Sequence, residues 1–198
     1  MSSDHDDINR GKVSRLPALP LPLDPVSQQM FDEQRSRGGH ILNMHLVNAH
    51  APMIARARRH VTYALRNECK ASRKIREMVI VRTATLVKQP YEIRHHIPLS
   101  LAAGVTQAQL DALQGDWKAK KEIFSAAEIA ALDYIDCLIE RRGDIPDAVF
   151  DAFAKHYSPQ EILELTHTSN NYYGTGVFIR AMKIELDPED RTTAPGKF

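Results

Sequence analysis

The sequence predicts an all-α fold, and three observations carry that prediction. Ile75, Met78, Val79, Arg82, Thr83 and Leu86 recur at the 3.6-residue helical period, with Val81 adding apolar breadth. Ser125-x-x-Glu128 and Ser158-Pro159-Gln160-Glu161 are helix-start signatures, in which a hydroxyl and a carboxylate cap each other's backbone. No segment shows the alternation of a half-buried strand. The expected architecture is one compact domain of helices of about 10 to 20 residues joined by short loops.

The elements follow in order. Met1 to about Lys12 is polar and reads as disordered. Leu16–Pro25 carries four prolines, which fix φ and remove amide donors, so it reads as an extended arm. Its leucines need cover, either from its own body or from a neighbouring subunit. Asp24-Pro25 opens a helix to about Arg37, stopped by Gly38-Gly39. A short helix follows near Ile41–Ala49, then a longer one from Pro52 to about Asn67. Ser72 caps the next, which Gln89-Pro90 breaks. Tyr91–Ala103 is closed by Gly104, and Thr106 caps a helix through Leu113. After a polar connector with Trp117, helices are expected from Ser125 to Arg142, Pro146 to His156 and Ser158 to Leu186. Three divisions result: an arm over 1–25, a helical domain over 26–187 and a polar tail over 188–198.

Composition excludes several classes of function. With a net charge of +1, nothing in the overall balance argues for nucleic acid or membrane, and neither is expected as a partner. The basic runs Arg56–His60 and Arg73–Arg76 alternate with apolar residues and read as solvated helix faces. The N-terminus has no apolar signal region, and no stretch approaches the roughly 18 apolar residues of a membrane span. Cys69 and Cys137 match no metal or redox spacing and read as reduced thiols of a cytoplasmic protein.

The chemistry-bearing stretch is Glu77–His96. Glu77 lies on an otherwise apolar helix, either at the edge of the stripe or carried inward. Glu92, His95 and His96 share the following helix, and Glu92 can reach both histidines at i+3 and i+4. A carboxylate beside an imidazole fixes its tautomer and raises its basicity, as a general base requires; a surface ion pair is the bland alternative. His96 reads as a partly exposed helix position. Glu164-x-x-His167 and the polar run Ser169–Gly174 suggest a pocket wall, with Tyr172 or Tyr173 as a contact or as core filler. Two Glu-x-x-His pairs raise the idea of a di-metal bundle, but no fourth ligand is evident and no metal is expected. Arg82 and Arg94 flank the cluster, and a planar guanidinium suits a substrate carboxylate.

Several segments together resemble the carboxymuconolactone decarboxylase family, which includes the alkyl hydroperoxidase D-like proteins. They are Gly39–Met44 with Ala49–Pro52, Ile75–Arg82, Tyr91–His96 followed by Ala102–Val105, and Ser158–Leu165. The resemblance covers about residues 16 to 186 and implies the alkyl hydroperoxidase D-like fold. The family's peroxidases carry a Glu, two cysteines in Cys-x-x-Cys and a His. Laid on this chain, the Glu falls on Glu77 and the His on His96, while the cysteines fall on Gln89 and Glu92. Without a thiolate there, no sulfenate or disulfide step is possible at that place.

What remains resembles the cysteine-free branch, which decarboxylates a lactone carboxylate in aromatic catabolism. The resemblance implies a cofactor-free acid–base lyase or hydrolase acting on a small carboxylated ring. It implies His96, Glu77 and Glu92 as catalytic groups, and His95, Arg82, Arg94, Tyr91, Tyr172 and Tyr173 as substrate-binding neighbours. It also implies a homotrimer or homohexamer. Two alternatives stand beside it: a peroxiredoxin-like antioxidant protein, and a non-catalytic small-molecule binding protein on the same fold.

Overall fold

The computed structural model describes residue 8 and residues 11–188. Among them every regular element is helical, as the sequence predicts. The helices are α1 (Pro25–Ser36), α2 (Asn43–Asn48), α3 (Pro52–Asn67), α4 (Arg73–Leu86), α5 (Pro90–Ala102), α6 (Gln107–Gln114), α7 (Ala126–Glu140), α8 (Asp147–Ala154) and α9 (Pro159–Met182). The Trp117 connector forms a 3-10 helix over Trp117–Ile123, and Trp117 itself is buried. No described helix is long and apolar enough to cross a membrane.

The chain divides into two compact units, one formed by residues up to Asn67 together with those from Phe178 onward, the other by Glu68–Val177. In the first, Met30, Phe31, Ile41, Leu46 and Ala49 form a small core. Leu19 and Leu23 of the proline-rich arm pack on it, so these two leucines find cover on their own chain, while Leu21 stays 52% exposed. The segment after α9 returns to the same unit. Asp187 Oδ1 accepts the backbone N–H of Asn43 at 2.7 Å, and the Asn43 amide donates to the Glu185 carbonyl at 3.1 Å. The expected disorder of Met1–Lys12 and the expected tail fall almost wholly outside the described residues.

In the second unit α4 is the central element. Residues Ile75 through Ala84 are all buried, and α5, α6 and α7 pack against it. A helix covered on every side needs apolar residues all round, which explains why Val79, Ile80 and Val81 can follow one another. Its core partners include Leu110, Leu113, Trp117, Leu132, Ile135, Phe153 and Leu165. The Ser72 hydroxyl accepts from the Ile75 amide and starts α4. The short link Val87–Gln89 then turns the chain so that α4 and α5 lie side by side.

Helix ends differ from expectation where backbone geometry takes over. The last helix stops at Met182 rather than Leu186: Lys183 adopts a φ of 50°, and the Ile184 amide returns to the Ile179 carbonyl at 3.0 Å. This is the left-handed closure that ends a helix by satisfying its final carbonyls. α7 ends at Glu140 rather than Arg142 by the same device. Arg142 has a φ of 56°, and the Gly143 amide reaches the Leu138 carbonyl at 2.9 Å.

Candidate active site

The site is built where α4 and α5 face each other. Glu77 points inward from α4 and is fully buried. A carboxylate removed from water is costly unless charge and hydrogen bonds compensate it, and both do here. Arg73, one turn earlier, places Nε and Nη2 each 2.7 Å from Glu77 Oε1. The other oxygen, Oε2, lies 2.7 Å from Nδ1 of His96. A carboxylate only accepts, so Nδ1 carries the proton and donates. On the far side of the ring, Nε2 is 3.6 Å from Glu92 Oε2, an ion-pair separation rather than a hydrogen-bond length. His96 is only 1% exposed, so the expectation of a partly exposed helix position is corrected. The cause is α9, whose Tyr172 closes over the ring edge-on, with centroids 4.9 Å apart. A buried hydrogen bond of 2.9 Å between the hydroxyls of Thr83 and Ser169 fixes α9 against α4 one turn away.

The structure therefore brings together Glu77, Glu92, His96 and Tyr172. His95 is buried beside them in the chain, but its ring packs against Tyr91 at 4.7 Å, and Tyr91 is itself core. Tyr173 is 42% exposed, and His167 is exposed as well. Arg82 is not at the site. It makes a two-pronged pair with Asp136, Nε to Oδ1 at 2.6 Å and Nη2 to Oδ2 at 3.0 Å. Its Nη1 donates to the Leu113 and Gly115 carbonyls, so its donors are committed to the fold rather than to a ligand. Arg94 is half-buried and lies two residues from both Glu92 and His96, off the helical face they share.

The sequence reading overlooked Arg73, although the i, i+4 rule would have offered it as the partner of Glu77. It also overlooked the work of Gln89. That side chain accepts from the Tyr91 amide at 3.1 Å, capping α5, and donates to the Gly176 carbonyl at 3.1 Å. Glu164, expected to pair with His167, instead accepts the Lys70 and Ala71 amides at 3.0 and 2.8 Å. Burial works against the Glu164 charge, but these backbone donors outweigh it and hold the carboxyl below its ordinary range. Cys69 and Cys137 are half-buried. Burial, aided by Glu164, pushes the Cys69 thiol up, away from the reactive thiolate.

A buried Glu–His pair lies where two helices face each other inside an all-helical unit, and the redox cysteine pair has no counterpart beside it. Residues 52–133 match the model of the carboxymuconolactone decarboxylase family. Similar solved structures agree on the fold. The alkylhydroperoxidase AhpD core of an uncharacterized peroxidase-related protein from Ralstonia eutropha is 18% identical, with a TM-score of 0.77 over 92% of this chain and 99% of that one. An uncharacterized peroxidase-related protein from Silicibacter is also 18% identical, with a TM-score of 0.78 over 92% and 96%. The debrominase Bmp8 is 15% identical, with a TM-score of 0.72 over 88% and 91%. No curated protein sequence matches the chain significantly.

Proposed function

We propose that this protein is a cofactor-free acid–base enzyme acting on a small carboxylated ring or lactone, a decarboxylase or a hydrolase of aromatic catabolism. The observation that carries the proposal is the buried Glu77–His96 contact of 2.7 Å, with Glu92 on the opposite ring nitrogen. In a decarboxylation the bond from ring carbon to carboxylate breaks, and its electron pair moves into the conjugated lactone carbonyl. His96 then delivers a proton to carbon through Nε2, while Glu77 stabilises the protonated ring through Nδ1. Burial strengthens each of these interactions by excluding water. Tyr172 would form the wall beside the imidazole. The test is turnover of carboxylated muconolactones, followed by CO2 release and loss of lactone absorbance. His96→Gln should lower it by about 10²–10⁴-fold, and activity unchanged in that variant would reject the reading.

A peroxidase reading has support from the names of the structural neighbours, and Bmp8 is named a debrominase. The cysteine pair that the resemblance to the family's peroxidases would require is replaced by Gln89 and Glu92. Peroxide turnover that survives Cys69→Ser with Cys137→Ser would favour redox chemistry of another kind. A cytoplasmic location and assembly as a homotrimer or homohexamer are part of the same proposal. On α9, Leu163 and Val177 stand 60% and 49% exposed, a surface suited to a further copy. Light scattering at micromolar concentration tests the assembly.

A further inference from the structure

The helices α1 and α3 enclose a groove whose chemistry the acid–base centre does not use. α3 is a 16-residue helix with no buried residue and no acidic one, and it carries Arg56, Arg58, Arg59 and Arg66. Its groove face, together with α1, bounds a cavity of about 750 Å³ lined by Met30, Arg37, Met53, Arg56, Arg59 and Tyr63. That volume is within the roughly 300–1,000 Å³ of small-molecule sites. The apolar part is real: Met53 is 57% exposed and Tyr63 40% exposed, although water is a poor neighbour for both.

The cations divide into committed and uncommitted ones. Arg59 donates to the Met30 carbonyl at 2.6 Å and lies 3.5 Å from Glu33, the one carboxylate of the lining. Arg37 lies over the Tyr63 ring at 5.6 Å, and Arg56 is exposed; neither has an ion pair among the described residues. Arg37 also repels Arg59. The groove thus presents surplus positive charge beside an apolar floor.

We propose that this groove binds an organic anion with an apolar body, an alkyl or aryl carboxylate. The head group would bridge Arg37 and Arg56, and the body would lie on Met53 and Tyr63. A carboxylate there relieves the repulsion between Arg37 and Arg59, and a planar guanidinium offers paired donors to its two oxygens. Inorganic phosphate supplies the charge without the body, and octanol the body without the charge. The groove lining includes neither Glu77 nor His96, so its test is independent of the proposed activity.

The experiment uses the full chain carrying 13C-methyl methionine, with the Met53 signal assigned by Met53→Leu. Titration with octanoate should move the Met53 methyl resonance saturably, while octanol and phosphate move it at least about tenfold more weakly. Arg37→Ala with Arg56→Ala should weaken octanoate about tenfold or more with an unchanged circular dichroism spectrum, and His96→Ala should leave it unchanged. Should the double variant not fold, the ranking of the three probes on the unaltered chain decides the matter. Phosphate binding as tightly as octanoate, octanoate leaving Met53 unmoved, or loss of binding in a His96→Ala protein that keeps the wild-type circular dichroism spectrum would overturn the proposal. So would a Met53 signal that moves with protein concentration but not with octanoate, the mark of a second copy covering the groove.

Discussion

Glu77 on α4 holds two partners at once, the Arg73 guanidinium through one oxygen and the His96 imidazole through the other, each at 2.7 Å. The carboxylate therefore joins α4 to α5 and orients the imidazole with the same two atoms. Glu77→Ala should leave the buried His96 ring N–H without its acceptor and Arg73 without its ion pair, and cost about 1–3 kcal/mol of stability. Urea denaturation measures the stability loss. Glu77→Gln keeps the shape, so it should fold better and still lose most activity.

His96→Gln should lower turnover of a lactone carboxylate by about 10²–10⁴-fold, the span of a lost general acid or base. Because the ring is buried, the variant also loses stability, and activity must be compared at matched folded fractions. Glu92→Gln should cost less than His96→Gln, because 3.6 Å marks a through-space influence rather than a direct proton path. Steady-state kinetics on the three proteins gives the ranking.

Arg82→Ala should destabilise by about 3–5 kcal/mol, since Asp136 would remain buried with its guanidinium gone. Trp117 Nε1 also donates to Asp136 Oδ2, at 3.0 Å, so near-ultraviolet circular dichroism should register the disturbance. A substrate-binding arginine would instead raise KM while leaving the melting temperature unchanged.

The Glu164 carboxylate is held below its ordinary range, so the stability it adds is present above the unfolded value near 4.5 and is lost as pH falls through the folded one. Glu164→Gln should therefore cost about 1 kcal/mol at neutral pH. The gap between wild type and variant should narrow as the pH drops below the unfolded value. Chemical denaturation at about pH 7 and about pH 3 supplies the comparison.

Two glycines of α9 should behave oppositely. A methyl on Gly174 meets nothing within 4 Å, so Gly174→Ala should add about 0.5–1 kcal/mol through helix propensity. A methyl on Gly176 would stand 2.9 Å from Val87 Cγ2 and 3.5 Å from Gln89 Cβ, so Gly176→Ala should destabilise. Thermal melts distinguish the two.

Helix positions were legible in the sequence because caps and periodicity are local. Asp24, Ser72, Thr106 and Ser125 each cap the helix they announce. The inward placement of Glu77 was not legible. Periodicity cannot tell a polar residue at the edge of a stripe from one carried into a helix that is covered all round. Arg82 misled for a related reason. Asp136, its partner, lies far along the chain, and no local pattern joins them. His96 came from spacing and resemblance, but its burial depends on Tyr172 of a distant helix.

Gln89 makes the place where a redox cysteine would stand a structural joint. Its side chain starts α5 and ties that start to Gly176. A thiol at this position is too short to make both bonds, so Gln89→Cys would loosen the helix that carries His96, at about 1 kcal/mol for the cap alone. Installing a redox pair in this chain is thus more than two substitutions. The scaffold would first have to replace a joint, and a protein engineered toward peroxide chemistry would pass through less ordered intermediates on the way.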